Sequence, residues 1–270
     1  MKSIPPEHTV MKLADIAYAA GGLIMPYFRQ NTEIQQKDDG SPVTLADREA
    51  EKFIISELSR GWPDIPAIGE ENVYNTNNYT NSYNIFWLID PLDGTREFVN
   101  GRDEFTVNIA LIENSLPVTG VVYAPAKELM YIGDSLLGSY KIDSEGKLHK
   151  LPAINSADRP ITVVISRSHP SLGQEESYLD ELQKNMPVEI IKMGSSLKFC
   201  AIAEGAADFY FRAGTTMYWD SAAGHIVAKG ADALVTEWGM KKELTYRDGK
   251  GLVNPAFMVL RSKWADILLK

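Results

Sequence analysis

The sequence predicts a mixed α/β protein with an α+β N-terminal half and an α/β C-terminal half. In the first half, two helical patterns precede a run of strand-like segments separated by hairpin turns. After about residue 155, strand-like and helix-like segments alternate, which is typical of a partly parallel sheet. The 270 residues suffice for two closely packed halves around a sizeable core. We place the boundary at this change of rhythm, which gives residues 1–150 and 151–270.

The composition is that of an ordinary globular protein, with a formal net charge of −9 at pH 7. This charge argues against nucleic-acid binding, which requires a basic patch, but not against a phosphorylated small molecule, because a bound metal ion reverses the local field. A single cysteine, Cys200, rules out an intramolecular disulfide and a Cys-rich zinc site. Neither a signal-peptide core nor an apolar run of about 18 residues occurs, so we expect a cytoplasmic protein without membrane insertion. Peripheral membrane association and the oligomeric state stay open.

Two helices are predicted before the first strand. Apolar residues near the N-terminus follow helical spacing, and a second helical run begins after Thr44 and ends at Gly61. Thr44 and Asp47 form a pattern similar to a capping box, and the helix dipole alone already favours an acid in this first turn. The segment AIGEEN then places Glu70 and a second acid in a loop.

The stretch WLIDPLDGT, at 87–95, is the most informative part of the chain. The apolar run leading into it predicts a buried strand that ends at Asp90, because Pro91 cannot donate a hydrogen bond to a neighbouring strand. Asp93 follows three residues later, so two carboxylates lie in one turn. Two interpretations stay open. The acids form a site for a hard cation such as Mg²⁺, which prefers oxygen ligands, or they bond backbone amides in an Asx-type turn.

Four more strands are predicted after this turn, in the segments FTVNIALIE, PVTGVVYAP, ELMYIGDS and GSYKIDS. The C-terminal half is predicted to contain strands at ITVVIS, VEIIKMG and ADFYFR, with helices at 175–186, after GSSLKFC and within WDSAAGHIVAKG. We expect Asp220 and Gly230 to cap the last of these helices. The small residues after Asp220 would let this helix approach the acids at Asp90 and Asp93 closely.

The segment GSSLKFC, at 194–200, opens a helix with two serines and places Lys198 one turn inside it. Such a helix start can bind an anion, but an ordinary serine-capped helix with a solvated lysine is the commoner arrangement. Cys200 lies among apolar residues, so we expect it to be buried rather than reactive. The four histidines lack zinc-ligand spacing, and only His169, in SRSHP, has a loop position typical of ligand contact.

Three motifs in order, GEE at 69–71, DPLDGT at 90–95 and WDSAAG at 219–224, resemble those of the inositol-monophosphatase-like family of magnesium-dependent, lithium-sensitive phosphatases. The resemblance covers nearly the whole chain and implies a layered αβαβα sandwich. Within the family, GSSLKFC and SRSH look like the 3′(2′),5′-bisphosphate nucleotidase branch of sulfur metabolism. The segment RAGTTMYWD departs from that branch, in which a proline and an acid often precede the WD motif.

The resemblance also implies roles for individual residues. The implied ligands of two or three Mg²⁺ ions are Glu70, Asp90, the Leu92 carbonyl group, Asp93 and Asp220. Asp47 and Thr95, assisted by Glu70, are implied to orient the attacking water, and the amides of Gly94 and Thr95 to stabilise the transition state. Besides Glu70, Leu92, Asp93, Gly94, Thr95 and Asp220, the candidates for contact with the nucleotide are His169, Ser195, Ser196, Lys198 and Arg212.

These expectations combine into one leading hypothesis, an enzyme that hydrolyses 3′-phosphoadenosine 5′-phosphate to AMP and phosphate by attack of a metal-activated water. A first alternative is the same chemistry on inositol monophosphate or on a sugar bisphosphate. A second alternative, from another class, is a divalent-metal binding module without turnover. The acids of DPLD lack the alternating spacing of an EF-hand loop, which weakens this second alternative.

Overall fold

The computed structural model describes residues 6–30, 35–36, 42–43, 45–72, 83–152, 159–168, 173–246 and 251–269. The helices in these ranges are α1 (Pro6–Ile24), α2 (Leu45–Gly61), α3 (Thr95–Val99), α4 (Gln174–Asn185), α5 (Leu197–Glu204), α6 (Tyr218–Lys229) and α7 (Ala265–Leu268). The strands of the N-terminal half are β1 (Gln35–Gln36), β2 (Pro42–Val43), β3 (Ala67–Gly69), β4 (Ile85–Asp93), β5 (Thr106–Glu113), β6 (Leu116–Ala124), β7 (Leu129–Asp134), β8 (Gly138–Ile142) and β9 (Leu148–Leu151). Those of the C-terminal half are β10 (Ile161–Ser166), β11 (Val188–Met193), β12 (Phe209–Arg212), β13 (Ala233–Glu237) and β14 (Phe257–Arg261).

Two large sheets organise the described residues. The seven-stranded sheet has the order β3-β4-β5-β6-β7-β8-β9 and is antiparallel except for the parallel pair β3 and β4. The five-stranded sheet has the order β11-β10-β12-β14-β13. In it β10 is parallel to both of its neighbours, whereas β14 is antiparallel to β12 and β13. The predicted antiparallel meander and the partly parallel second sheet are therefore both confirmed.

The sheets and helices stack in five layers. Side chains of β4 alternate, so that Trp87 and Ile89 pack against α1 and α2, whereas Phe86 and Leu88 pack against α5 and α6. The helices α5 and α6 also contact one face of the five-stranded sheet, and the other face of that sheet packs against α4 and α7. This is the αβαβα sandwich that the sequence predicted. No helix within the described ranges has both the length and the apolar composition that spanning a bilayer requires.

Two local predictions were wrong in detail, and some strands were missed. Strand β4 does not end at Asp90 but continues to Asp93, with a shift of register between these two residues that accommodates Pro91. Asp220 is not the cap of α6, because the helix begins at Tyr218 and the Asp220 carboxylate instead accepts a hydrogen bond from the Met217 backbone N–H at 2.7 Å. Strands β9, β13 and β14 were not predicted at all.

Helix α6 crosses the seven-stranded sheet over two glycines. Gly120 of β6 and Gly133 of β7 are paired directly across the sheet. A Cβ atom at Gly133 would lie 2.5 Å from backbone atoms of Ile226 and Val227, and one at Gly120 would lie 2.9 Å from the Ile226 side chain. The lack of side chains at both positions lets α6 lie directly on the sheet. This contact lies at Ile226 and Val227, in the second half of the helix whose first turn contains Asp220.

The substitution Gly133→Ala tests this packing. The added methyl group would overlap the backbone of α6, so we expect a loss of about 1–3 kcal/mol in the free energy of unfolding. Urea denaturation of both proteins measures it. Gly22→Ala is the matched control, because Gly22 lies in α1 with no atom near its would-be Cβ, and it should leave stability unchanged or slightly higher. Equal stability of Gly133→Ala and the wild type would contradict the proposed close contact.

Candidate active site

A cleft of about 210 Å³ opens where the end of β4 meets the first turns of α3, α5 and α6. It contains every predicted site residue except Asp47 and His169. The predicted residues that line it are Glu70, Asp90, Leu92, Asp93, Gly94, Thr95, Ser195, Ser196, Lys198, Arg212 and Asp220. His169 lies outside the described residues. Side chains from both halves of the chain therefore converge on one cavity, as the sequence motifs required.

Four acids in the cleft, Glu70, Asp90, Asp93 and Asp220, form what we call the acidic cluster. Glu70 follows β3, Asp90 and Asp93 belong to β4, and Asp220 lies in the first turn of α6. Enclosure by the protein raises the pKa of Asp220 well above its usual value, and the nearby charges of Asp93 and Glu70 raise it further. Enclosure likewise raises the pKa of Asp93. Asp93 and Glu70 are thus each close enough to Asp220 for their charges to act on it.

Backbone amides hold the members of the acidic cluster in place. Asp90 Oδ1 accepts a hydrogen bond from the Leu92 N–H at 3.0 Å, which is the Asx-type turn that one interpretation of the sequence required. Asp93 Oδ2 accepts a hydrogen bond from the Ser196 N–H of the C-terminal half at 2.5 Å and lies 3.4 Å from Asn108 Nδ2. Asp90 therefore forms the Asx-type turn and also lines the cleft. The presence of this turn does not exclude a cation site.

The donor chemistry of the cleft suits a hard divalent cation. Carboxylates and a backbone carbonyl group, that of Leu92, are the oxygen ligands that Mg²⁺ prefers. Within the described residues, no three Asp, Glu, His or Cys side chains are gathered closely enough to form a finished metal centre. The assignment of individual ligands therefore stays a prediction, based on the type of donor and on the shared cleft.

Thr95 and Asp47 form a pair beside the acidic cluster. Asp47 lies in the first turn of α2 and is only 1% exposed. The Thr95 hydroxyl oxygen lies 3.4 Å from Asp47 Oδ1 and 3.1 Å from the Leu92 carbonyl oxygen, so its single proton can be donated to either acceptor. Asp47 thus reaches the cleft through Thr95 rather than by lining it.

The start of α5 matches neither of the two predicted arrangements, which were a helix start with free amides for an anion and an ordinary serine-capped helix with a solvated lysine. Lys198 is 7% exposed, and its ammonium group donates a hydrogen bond to the Ser195 carbonyl and lies 5.5 Å from the centre of the Tyr210 ring. Burial lowers the pKa of Lys198, whereas the charges of Asp93 and other nearby acids raise it. A solvated lysine on an ordinary capped helix is therefore excluded. The cation faces the cleft.

The two serines before Lys198 anchor α5 to the first sheet. Thr106 on β5 bonds the hydroxyls of Ser195 and Ser196 at 3.0 and 2.8 Å, and the Ser196 hydroxyl also donates to Asn108 at 2.8 Å. The Ser196 amide binds Asp93, so it is not the free anion-binding donor that the sequence suggested. Both serines line the cleft, but their polar groups join the two halves of the protein.

Several residues of the site were missed from the sequence. Glu97, two residues after Thr95, lines the cleft, is buried and accepts a hydrogen bond from Ser168. Glu51 is buried one turn after Asp47 and accepts the Glu71 N–H at 2.8 Å, which helps to hold the GEE turn. The spacing of four residues from Asp47 places Glu51 on the same face of α2 and was a signal that could have identified it.

The segment that departs from the nucleotidase pattern borders the cleft. Thr215 and Thr216 line it, and Arg212 precedes them at the end of β12. Tyr218 does not line the cleft, because it is fully buried and packs edge-on against Tyr246 with ring centres 5.4 Å apart. In this segment the cleft wall is therefore formed by the small hydroxyl side chains of Thr215 and Thr216 and not by the aromatic side chain of Tyr218.

Comparisons with known proteins agree with this architecture. The model of the inositol monophosphatase family matches residues 7–268. The 3′(2′),5′-bisphosphate nucleotidase CysQ of Shigella flexneri is 41% identical over 250 residues, which are 92% of this chain and 98% of that protein. CysQ of Salmonella typhimurium is 40% identical over 259 residues, with the same two coverages of 92% and 98%. The crystal structure of CysQ from Bacteroides thetaiotaomicron superimposes with a TM-score of 0.83 at 33% identity and covers 96% of this chain and 99% of that chain. This chain belongs to the inositol monophosphatase family.

Proposed function

We propose that this chain is a magnesium-dependent 3′(2′),5′-bisphosphate nucleotidase that hydrolyses the 3′-phosphate of 3′-phosphoadenosine 5′-phosphate to give AMP and phosphate. The observation that carries the proposal is one cleft that holds both the acidic cluster and two buried cations, Lys198 and Arg212. A nucleoside with two phosphates matches both features, because one phosphate can lie over metal held by the acids and the other against the cations. Relatives named for this activity are similar over nearly the whole chain.

The acidic cluster and the Leu92 carbonyl group would hold two or three Mg²⁺ ions. The repulsion that raises the pKa of Asp220 is what bound cations would offset. Magnesium bound there lowers the pKa of a water molecule and neutralises charge on the phosphoryl oxygens. The residues of the chain then have to orient that water, bind the phosphate and align the leaving 3′-oxygen opposite the attacking water.

Thr95 and Asp47 would orient the attacking water. The water donates a hydrogen bond to the Thr95 hydroxyl oxygen, and Thr95 donates its own proton to Asp47 Oδ1. The water oxygen would form a bond to phosphorus and lose one proton through the Thr95 hydroxyl group to Asp47. The bond from phosphorus to the ribose 3′-oxygen would break, and the 3′-oxygen would take up one proton from a solvent water molecule, so that the proton count is unchanged. Amides at Gly94 and Thr95 supply fixed donors for the charge on the phosphoryl oxygens. No covalent enzyme intermediate is required.

Lys198 and Arg212 would bind the phosphate that remains on the product. Both side chains are buried cations in the cleft wall, and a guanidinium group matches the geometry of phosphate oxygens. His169 is proposed to stack on the adenine ring. Ser195 and Ser196 would contribute by fixing the start of α5 rather than by direct phosphate contact.

Phosphate release from three substrates tests the proposed function. With Mg²⁺ present, the protein should release phosphate from 3′-phosphoadenosine 5′-phosphate faster than from inositol monophosphate or fructose 1,6-bisphosphate. Chelation of the metal with EDTA should abolish turnover, and excess Mg²⁺ should restore it. A clear preference for inositol monophosphate would overturn the nucleotide assignment. Release from none of the three would favour the binding module without turnover.

Asp93→Asn should remove activity but not the fold. An asparagine oxygen can still accept the Ser196 amide, whereas the charge that a metal requires is lost. We expect kcat/KM to fall at least about 100-fold. The urea midpoint of the metal-free protein should not fall, because a repelled, enclosed charge has been removed. Asp64→Asn changes an exposed acid and serves as the matched control. Wild-type turnover by Asp93→Asn would exclude Asp93 as a metal ligand.

Thr95→Val tests the orientation of the attacking water. Valine keeps the shape of threonine but lacks the hydroxyl group, so kcat should fall by about 100-fold with little change in KM. Thr95→Ser keeps the hydroxyl and should retain most of the activity. Steady-state kinetics on the nucleotide distinguish these outcomes. Equal kcat values for the valine variant and the wild type would show that the water is oriented by other groups.

A further inference from the structure

Glu175 is a buried carboxylate next to the cleft that the proposed mechanism does not use. It lies in the first turn of α4 and is only 4% exposed. Its Oε1 accepts hydrogen bonds from the backbone N–H groups of Ala213, at 2.6 Å, and Gly214, at 3.2 Å. The same oxygen lies 3.6 Å from Nη1 of Arg212. A buried charge is costly unless it is paired, so these three contacts account for its location.

Arg212 occupies the wall of the cleft with little exposure to solvent. The residue is 7% exposed, and within the described chain its carboxylate partner is Glu175. A guanidinium group carries five N–H donors in a planar fork. The ion pair with Glu175, at 3.6 Å, involves only Nη1 of Arg212. Other N–H groups of the guanidinium group can therefore donate to a ligand in the cleft that Arg212 lines. The side chain is therefore placed for an anion that the protein itself does not supply.

The backbone at Gly214 lies directly against the guanidinium group. A Cβ atom at Gly214 would lie 2.8 Å from Nη2 and 2.9 Å from Cζ of Arg212. Such distances are below ordinary contact, so any larger residue would displace the guanidinium group. Arg212 thus lies against both the Glu175 carboxylate and the backbone that the same carboxylate binds. One oxygen atom fixes both the arginine and the turn that lies against it.

We propose that Glu175 is a positioning residue that fixes the guanidinium group of Arg212 for contact with the substrate phosphate that is not cleaved. The inference rests on the proposed function, since it requires a nucleoside with a 5′-phosphate as well as a 3′-phosphate. Glu175 acts only through Arg212 and the 213–214 backbone. It therefore contributes to the affinity for bisphosphorylated nucleosides and not to the cleavage step.

Steady-state kinetics on 3′-phosphoadenosine 5′-phosphate and on adenosine 3′-phosphate test this role. Glu175→Ala should raise KM for the bisphosphate about tenfold, with kcat within about twofold of the wild type. KM for adenosine 3′-phosphate should not change, because that substrate has no 5′-phosphate for Arg212 to bind. Glu176→Ala, which alters the exposed neighbouring acid of the same helical turn, is the matched control and should match the wild type on both substrates.

Two further variants separate positioning from general loss of structure. In the Arg212→Ala background, Glu175→Ala should cause no additional rise in KM, because a residue that acts through Arg212 has nothing left to position. Gly214→Ala removes no charge and no hydrogen-bond donor, yet it should raise KM for the bisphosphate alone by displacing the guanidinium group. If Glu175→Ala fails to fold, Gly214→Ala carries the test.

The outcomes separate this inference from the proposed function. If the wild type does not hydrolyse the bisphosphate, the proposed function fails and the inference fails with it. If the wild type prefers the bisphosphate but Glu175→Ala and Gly214→Ala leave its KM unchanged, only the inference is overturned. The inference alone is also overturned if the variants change KM for both substrates equally, or if the effects of Glu175→Ala and Arg212→Ala are additive.

Discussion

The enclosure of Asp220 beside the charges of Asp93 and Glu70 is the constraint on which the chemistry of the cleft depends. Two unit charges about 4 Å apart repel by roughly 4 kcal/mol in a partly polar protein environment. The charges of Asp93 and Glu70 accordingly raise the pKa of Asp220 above the effect of its enclosure alone. The chain offsets part of this with local donors, since Met217 and Ser196 give their amides to Asp220 and Asp93. The Ser196 bond joins the start of α5 to the end of β4, whereas the Met217 bond holds Asp220 within the first turn of α6.

The same contacts make the site depend on both sheets at once. Asp93 of the seven-stranded sheet takes its strongest hydrogen bond from the turn before α5, and Glu104 accepts the Gly194 amide at 2.8 Å from the same turn. Arg167, which follows β10, donates to Glu104 at 2.6 Å. The hydrophobic core between the two sheets is formed by side chains of α5, of α6 and of both sheets. Loss of packing between the sheets would therefore separate the acids from Lys198, even though each sheet kept its own hydrogen bonds.

Local signals predicted most strands of the seven-stranded sheet, although the end of β4 and the cap of α6, which are also local features, were predicted wrongly. An apolar run predicted β4, and strand-like segments bounded by turn signals predicted β5 to β8, because these patterns depend only on neighbours in the chain. The crowding of Asp90 and Asp93 left a cation site and an Asx-type turn both open, and the resemblance of three separate motifs to one family favoured the cation site. Glu175 and Gly133 could not be recognised in this way. A buried glutamate in a first helical turn looks like any dipole-favoured acid, and a glycine in a strand looks like a weak strand position. The role of Glu175 depends on its contact with Arg212, and that of Gly133 depends on its contact with α6. Both partners are distant in sequence.

Lys198 connects the acidic cluster to the anion that the cleft would receive. Burial lowers the pKa of Lys198, and the nearby negative charges of Asp93, Glu97 and Asp220 act in the opposite direction. A lysine beside these negative charges attracts a phosphate only weakly, and the net charge of −9 repels a polyanion at longer range. Cations held by the acids would offset these negative charges and reverse the sign of the local field at Lys198. Under the proposed function, metal and nucleotide should therefore each strengthen the binding of the other, since reciprocity between two linked ligands is a thermodynamic requirement.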